Sequence, residues 1–410
     1  MQTESQSIDQ TSKVPQPPRL EKPVRITEQV WPEETVPLVS ICCIAYNHEG
    51  FIRDAIEGFL IQETTFPVEI LIHDDASADG TADIIREHEA KYPQLIKPIY
   101  QTENQWSKGN KPGHINLARA KGEFIAVCEG DDYWTDAQKL QRQVDLLAQH
   151  PEYSAAVHWV MDESENGDTA LPPVASGRDW DAKTVTVADL LEQNVITTCS
   201  VVFRAALFEG LSTQYATLPM GDWPLWIHLA LKGPLVSLSD RMAVYRIHAG
   251  GLWSGMQPAV QLAGAASMLA AVHGALPYEF RERSLQSFVK YLKWAALRCA
   301  SSISPHDLTQ TISQLKRELL NAGLSPALPA EFDRVAATVV AELAASLLKE
   351  EANRAWEAGS YAVARRHYGE LAFGPLKSFP ALLKFFATST GILGLSVKRA
   401  MRLLRGIFAA

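Results

Sequence analysis

Glu129-Gly130-Asp131-Asp132 places three carboxylates within four residues. Like charges that close repel one another unless a cation neutralises them. Hard oxygen donors at this spacing suit Mg²⁺ or Mn²⁺, ions that commonly arrive with substrate phosphates. A solvated acidic turn is the plainer alternative. A second acidic pair stands in His73-Asp74-Asp75-Ala76-Ser77, where cap duty for a following helix competes with a ligand role. Asp222, in Met220-Gly221-Asp222-Trp223, is a carboxylate able to take a proton from an attacking hydroxyl, and equally a helix N-cap. His248 ends Tyr245-Arg246-Ile247-His248 ahead of Gly250-Gly251, a pattern that reads as a closing loop or as an ordinary satisfied histidine. Neither GxxxxGK[ST] nor GxGxxG occurs, which removes P-loop kinases and dinucleotide oxidoreductases from the main readings and leaves a metal to supply charge to a diphosphate.

These groups need a scaffold that brings them together. Val36-Pro37-Leu38-Val39-Ser40-Ile41-Cys42-Cys43-Ile44-Ala45-Tyr46 is a near-continuous apolar run, the pattern of a strand covered on both faces. Phe51, Ile52, Ala55, Ile56, Phe59 and Leu60 then recur at helical spacing. The alternation continues with strands expected at 68–72, 95–100 and 123–128 and helices at 80–91, 114–121 and 135–150. This rhythm implies right-handed crossovers and an α/β fold, a mostly parallel sheet with helices on both faces. Ligands bind such sheets beyond the carboxyl ends of the strands. There stand Tyr46 to Glu49, His73 to Ser77 and Glu129 to Trp134. Further strands are expected at 155–160, 199–203 and 241–247, helices at 187–192 and 223–232, and helix throughout from about 257. Asn353 to Ala372 reads as a helix-turn-helix pair around Gly359.

Composition narrows the class. The 410 residues are 47% hydrophobic and 21% charged, with a formal net charge of −9, values of a globular chain without a global basic field for nucleic acid. Five cysteines (Cys42, Cys43, Cys128, Cys199, Cys299) form no CxxC pair and are expected as buried thiols in a reducing compartment. Residues 1–36 read as a flexible leader lacking signal-peptide features, and no stretch is long and apolar enough to span a bilayer, so a cytoplasmic location is expected. From Lys377 onward six cations (Lys377, Lys384, Lys398, Arg399, Arg402, Arg405) meet no acid. That tail is expected to form a basic amphipathic helix, which rests either on an anionic inner leaflet, peripheral to the membrane, or on an acidic protein surface or second subunit.

AYNHE after the first strand, HDDASADGT after the second, AKGEFIAVCEGDDYW, the later GDW and YRIHAGG together resemble a family 2 glycosyltransferase of GT-A fold, over roughly residues 37 to 254. The resemblance implies a catalytic domain at 37–255, followed by a helical domain at 256–376 and the tail at 377–410. It implies that Tyr46, Glu49 and Asp75 line the nucleotide pocket with Asp74 in support. Glu129-Gly130-Asp131 occupies the place of the family's DxD, with Asp131 as metal ligand and Asp132 contacting the sugar or metal shell. His248 would close over the metal or pyrophosphate and Arg246 would pair with pyrophosphate. Asp222 matches the catalytic base, and Thr197, Thr198 and Ser200 stand where relatives shape the acceptor pocket. Trp159, Trp223 and Trp226 are better read as core than as sugar platforms. The implied function is an inverting, Mn²⁺- or Mg²⁺-dependent transfer of a sugar from a UDP- or dTDP-sugar to a glycan or lipid-linked acceptor, in polysaccharide or lipopolysaccharide assembly. The alternatives are a sugar-nucleotide pyrophosphorylase, whose basic glycine-rich loop is absent, and a non-catalytic binder on the same scaffold.

Overall fold

The computed structural model describes residues 18–164, 169–170, 184–208, 218, 220–303, 308–322, 324–326 and 328–373. The chain divides into two compact units, Met1–Thr217 with Gly221–Ser254, and Leu218–Met220 with Gly255–Ala410. The basic tail, residues 171–183 and the first 17 residues lie outside the described residues.

The first unit begins with β1 (Val24–Arg25), which pairs antiparallel with β3 (Glu63–Thr64). Ile26 is inserted into the main core, so residues 18–36 are not the flexible leader the composition suggests. Their polar residues mask one well-buried anchor. β2 (Val39–Ala45), α1 (Ile52–Leu60), β4 (Val68–Asp74), α2 (Thr81–Lys91), β5 (Ile96–Tyr100), α3 (Pro112–Leu117) and β6 (Phe124–Glu129) follow the alternation read from the apolar runs. β2 and β4 are almost wholly buried, as two-sided coverage of parallel strands requires.

β7 (Tyr133–Trp134), α4 (Lys139–Gln149), β8 (Ala155–Ser164), β9 (Thr169–Ala170), β10 (Thr184–Val185), α5 (Val187–Glu192), β11 (Val202–Arg204), α6 (Asp222–Ala230) and β12 (Leu235–Ile247) complete the unit. The main sheet runs β10-β12-β8-β11-β6-β2-β4-β5. β5, β4, β2 and β6 are mutually parallel, β11 is antiparallel to β6 and to β8, and β12 runs parallel to β8. Reversal at β11 makes the sheet mixed. α2 packs on β5, α3 on β2 and β4, and α4 on β8 and β11.

Register does the positioning. Ala45 pairs with Asp74, Asp74 with Tyr100, and Ile44 with Glu129, so four strands end side by side and their following loops share one edge. Gly122, just before β6, permits this close fit: a Cβ there would lie 2.5 Å from the Ser40 amide nitrogen and 2.8 Å from the Phe124 carbonyl oxygen. β12 is longer than the 241–247 strand expected. Its Leu235–Ser237 segment is apolar enough to pair with β8, although Ser239-Asp240 interrupts the pattern and the ladder shifts register there.

The second unit is helical among its described residues: α7 (Pro258–His273), α8 (Tyr278–Ala300), α9 (Leu308–Asn321), α10 (Ala330–Glu357) and α11 (Tyr361–Phe373). α10 and α11 form the expected pair. Gly359 sits between them at φ +76°, a left-handed turn that glycine adopts without strain, and Tyr368 donates its hydroxyl to Asn353 Oδ1 at 2.7 Å. No described helix is long and apolar enough to cross a membrane. All five cysteines are free and buried.

Candidate active site

Two turns at the sheet's carboxyl edge are laced together. Asn47, at φ +56°, accepts the Ala78 amide on Oδ1 at 2.8 Å and donates its own amide to Ser77 Oγ at 2.9 Å. The His48 amide donates to Thr81 Oγ1 at 2.7 Å. Glu49 accepts the Gly80 amide at 3.1 Å, and a Cβ on Gly80 would meet its carboxylate at 2.6 Å. Glu49 thus staples the second turn to the first. Tyr46, at the end of the same run, is 46% exposed and offers a free aromatic face at the rim.

Asp74 and Asp75 take different roles. Asp74 is buried with Oδ1 lacking a hydrogen-bond partner, and burial pushes its carboxyl up despite bonds from Ser77. Asp75 accepts the Gln105 and Trp106 amides at 2.8 and 3.1 Å, while its carbonyl accepts Asn104 Nδ2 at 3.1 Å. Both of its oxygens accept amides of the 104–108 loop, so this side chain fixes that loop's position.

The acidic turn after β6 is the centre of the site. Asp131 Oδ2 lies 3.2 Å from His248 Nε2 and 3.7 Å from His48 Nε2. Burial opposes ionisation of Asp131, but the bond from His248 and the nearby His48 hold its carboxyl below the usual value. Glu129 is pushed well above its ordinary value by burial and then by Asp132, Asp131 and Asp222, which places these four carboxyls within one electrostatic neighbourhood. Gly130 has no room for a side chain: a Cβ would lie 2.9 Å from Ile52 Cδ1, 3.0 Å from His48 Nδ1 and 3.1 Å from Ala45 Cβ. The middle position of the triplet is therefore dictated by packing against His48.

Asp132 faces inward. It is 1% exposed, its Oδ1 accepts the Arg246 amide at 2.9 Å, and burial drives its carboxyl well up. It ties the acidic turn to β12. The Nε of Arg246 donates to Glu163 at 2.9 Å, one terminal nitrogen to Asp54 and the other to the Asp131 carbonyl at 3.2 Å, while the guanidinium lies 4.3 Å from the Tyr133 ring centre and 5.3 Å from that of Phe51. Among the described residues this cation binds two carboxylates and the Asp131 carbonyl, which braces the acidic turn.

Asp222 opens α6 as its first residue, with Gly221 as the cap. Asn194 Nδ2 donates to its Oδ2 at 3.2 Å. Burial raises its carboxyl, and the Trp223 amide, Asn194 and the charge of Lys111 act in the other direction. Lys111 itself is lowered to about 8 by burial, with Asp222 opposing, and its ammonium sits 4.0 Å from the Trp106 ring centre. Trp223 and Trp226 are buried, Trp223 donating to the Leu190 carbonyl at 2.7 Å, and Ser200 is buried too. These are core groups.

Sequence reasoning missed His48 and Lys111. His48 was visible as the polar residue between Tyr46 and Glu49 at a strand end. Lys111 carried no signal, because only the loop held by Asp75 brings it near Asp222. Whether the residues suit a cation is answered by the donor set. The side chains gathered here are one carboxylate and two imidazoles, donor types that divalent ions accept, imidazole favouring Zn²⁺ or Fe²⁺ and carboxylate Mg²⁺ or Mn²⁺. No group of three or more His, Cys, Asp or Glu side chains among the described residues is arranged to hold a metal ion.

Residues 40–211 match the model of Glycosyl transferase family 2. Over those residues, less than half of its length, the chain is similar to that family. An uncharacterized protein of Mycobacterium tuberculosis is 42% identical over 221 residues, 52% of this chain and 60% of that relative, so the match leaves two-fifths of the relative uncovered. The Escherichia coli UDP-Glc:alpha-D-GlcNAc-diphosphoundecaprenol beta-1,3-glucosyltransferase WfaP is 27% identical over 220 residues, covering 52% of this chain and 79% of WfaP. Residues 1–349 of TarS from S. aureus superpose with a TM-score of 0.50 at 16% identity, covering 78% of this chain and 91% of that one. The first unit has the GT-A fold, and a helical region follows it in the sequence.

Proposed function

We propose that the chain is an inverting, divalent-metal-dependent glycosyltransferase that moves a sugar from a UDP- or dTDP-sugar to an acceptor hydroxyl in bacterial surface-polysaccharide assembly. The observation that carries this reading is the convergence of Glu129, Asp131 and Asp222 at the sheet's carboxyl edge, with Asp131 held between His48 and His248. Asp131 and His248 would hold the cation, which when bound offsets the negative charge of the diphosphate. The remaining steps belong to the chain. Tyr46 and the turn stapled by Glu49 would border the base and ribose, with Asp74 beneath. Asp75 fixes the loop that carries Trp106 and Lys111.

Asp222 would accept the acceptor hydroxyl proton while that oxygen bonds to the anomeric carbon and the bond to the nucleotide diphosphate breaks on the opposite face. One such displacement inverts the anomeric centre. A part-buried carboxylate, anchored by Asn194 and the start of α6, suits this role because desolvation raises its basicity. The names of WfaP and of TuaG, a putative teichuronic acid biosynthesis glycosyltransferase of Bacillus subtilis that is 34% identical over 111 residues (27% of this chain, 42% of TuaG), support a surface-glycan pathway and a lipid-diphosphate acceptor.

The test is a panel of UDP-, dTDP- and GDP-sugars with Mn²⁺, read by nucleotide release and by the mass of any glycosylated product. Metal-dependent release from at least one uridine or thymidine donor is expected. Tight nucleotide binding with no release across the panel and with lipid-diphosphate acceptors would leave a binder and refute the enzyme.

A further inference from the structure

We propose that the outer face of the C-terminal half of α8 is a docking surface for an anionic phospholipid bilayer. The helix buries Ser284, Ser287, Phe288, Tyr291, Leu292, Ala295, Ala296, Cys299 and Ala300, the three- and four-residue spacing of one face, against α7, α9 and α10. Its opposite face carries Lys290, Lys293, Trp294, Leu297 and Arg298. Trp294 is 47% exposed and Leu297 55% exposed, and Lys293 and Arg298 are exposed beside them.

Charge decides the occupant. In a chain of net charge −9, residues 283–306 hold four cations and no acid. Apolar rings and methyls set among cations form the interfacial pattern: the hydrocarbon enters the headgroup boundary while the cations meet anionic lipid phosphates. The Lys290 ammonium, 5.4 Å from the Trp294 ring centre and 5.0 Å from that of Tyr291, places a cation directly over the aromatic part of this face. Indole is suited to that boundary, having an apolar body and one polar N–H. The surface belongs to the second unit alone and needs no contribution from the catalytic cleft, so its test is independent of the proposed reaction.

The experiment is flotation of the full chain with vesicles of phosphatidylcholine containing phosphatidylglycerol, against vesicles of phosphatidylcholine alone, at 0.1 M and 0.5 M salt (about 10 Å and under 5 Å of screening length). Binding to the phosphatidylglycerol vesicles and its loss at high salt are expected. Lys290→Gln with Lys293→Gln and Arg298→Gln should lower partitioning about 100-fold, since each surface cation contributes roughly a factor of five. Trp294→Ala with Leu297→Ala should lower it about tenfold at unchanged charge, with far-UV circular dichroism unaltered. The tail from Lys377 is present in every arm. Wild-type partitioning by both variants overturns the proposal, as does equal binding to phosphatidylcholine alone. A change in sedimentation mass with unaltered vesicle binding also overturns it and assigns the face to a second copy of the chain.

Discussion

Arg246→Leu separates two roles for the same cation. If the guanidinium is an internal clamp, its loss acts on stability. The bond to half-buried Glu163 is charge-assisted, about 1.5–3 kcal/mol. The pair with half-exposed Asp54 adds about 0–1 kcal/mol, the Asp131 carbonyl about 0.5–1.5 kcal/mol and the aromatic contacts about 0.5–1 kcal/mol. Leucine keeps part of the contact with Phe51 and Tyr133, so the net loss is about 2–4 kcal/mol. At about 2–4 °C per kcal/mol for a unit of this size, Tm should fall roughly 4–16 °C. Thermal unfolding and steady-state kinetics with the active donor read both arms. The clamp predicts a donor KM within about threefold of wild type and a lower kcat, because the Asp131 turn loses its brace. An unchanged Tm with a KM raised about 10- to 100-fold, the effect of losing a charged phosphate contact, would refute the clamp.

Three further outcomes follow from the same geometry. Gly130→Ala should cost about 1–3 kcal/mol through overpacking against Ile52, His48 and Ala45, whereas Gly113→Ala, with nothing within 4 Å, should stay within about 0.5 kcal/mol in the same unfolding assay. Lys111→Met removes a charge that lowers the Asp222 carboxyl, so the acid limb of the kcat–pH profile should move to higher pH, and Lys111→Arg should restore it. Lys139 is fully buried, bonded to Gln143 at 2.9 Å, and lowered by burial from 10.5 to about 7. Between those values the unfolded chain binds the proton and the folded one does not, so wild-type stability should rise with pH by roughly 1.4 kcal/mol per unit. Lys139→Met should abolish that rise, as seen in denaturant titrations at pH 7 and 9.

The alternation of strands and helices was legible because buried parallel strands must be nearly continuous apolar runs, and β2, β4 and β6 are. The acidic clusters were legible as strand-end residues for the same reason. What each carboxylate does was not. Asp75, Asp132 and Arg246 look like ligand residues by type, yet Asp75 caps loop amides and Arg246 finds Asp54 and Glu163, 192 and 83 positions away, in contacts that no local pattern encodes. Ile26 is similar: a lone apolar residue in a polar stretch gives no periodicity, and only the pairing of β1 with β3 carries it into the core.

The measurement that bears most directly on the account is Asp222→Asn, assayed for sugar transfer by product mass and for nucleotide binding by calorimetry with Mn²⁺. The amide keeps the shape and the start of α6 but cannot take a proton. The account predicts wild-type nucleotide affinity and a kcat lowered about 10²- to 10⁴-fold, the usual contribution of a general base. Transfer at the wild-type rate with affinity intact would contradict it.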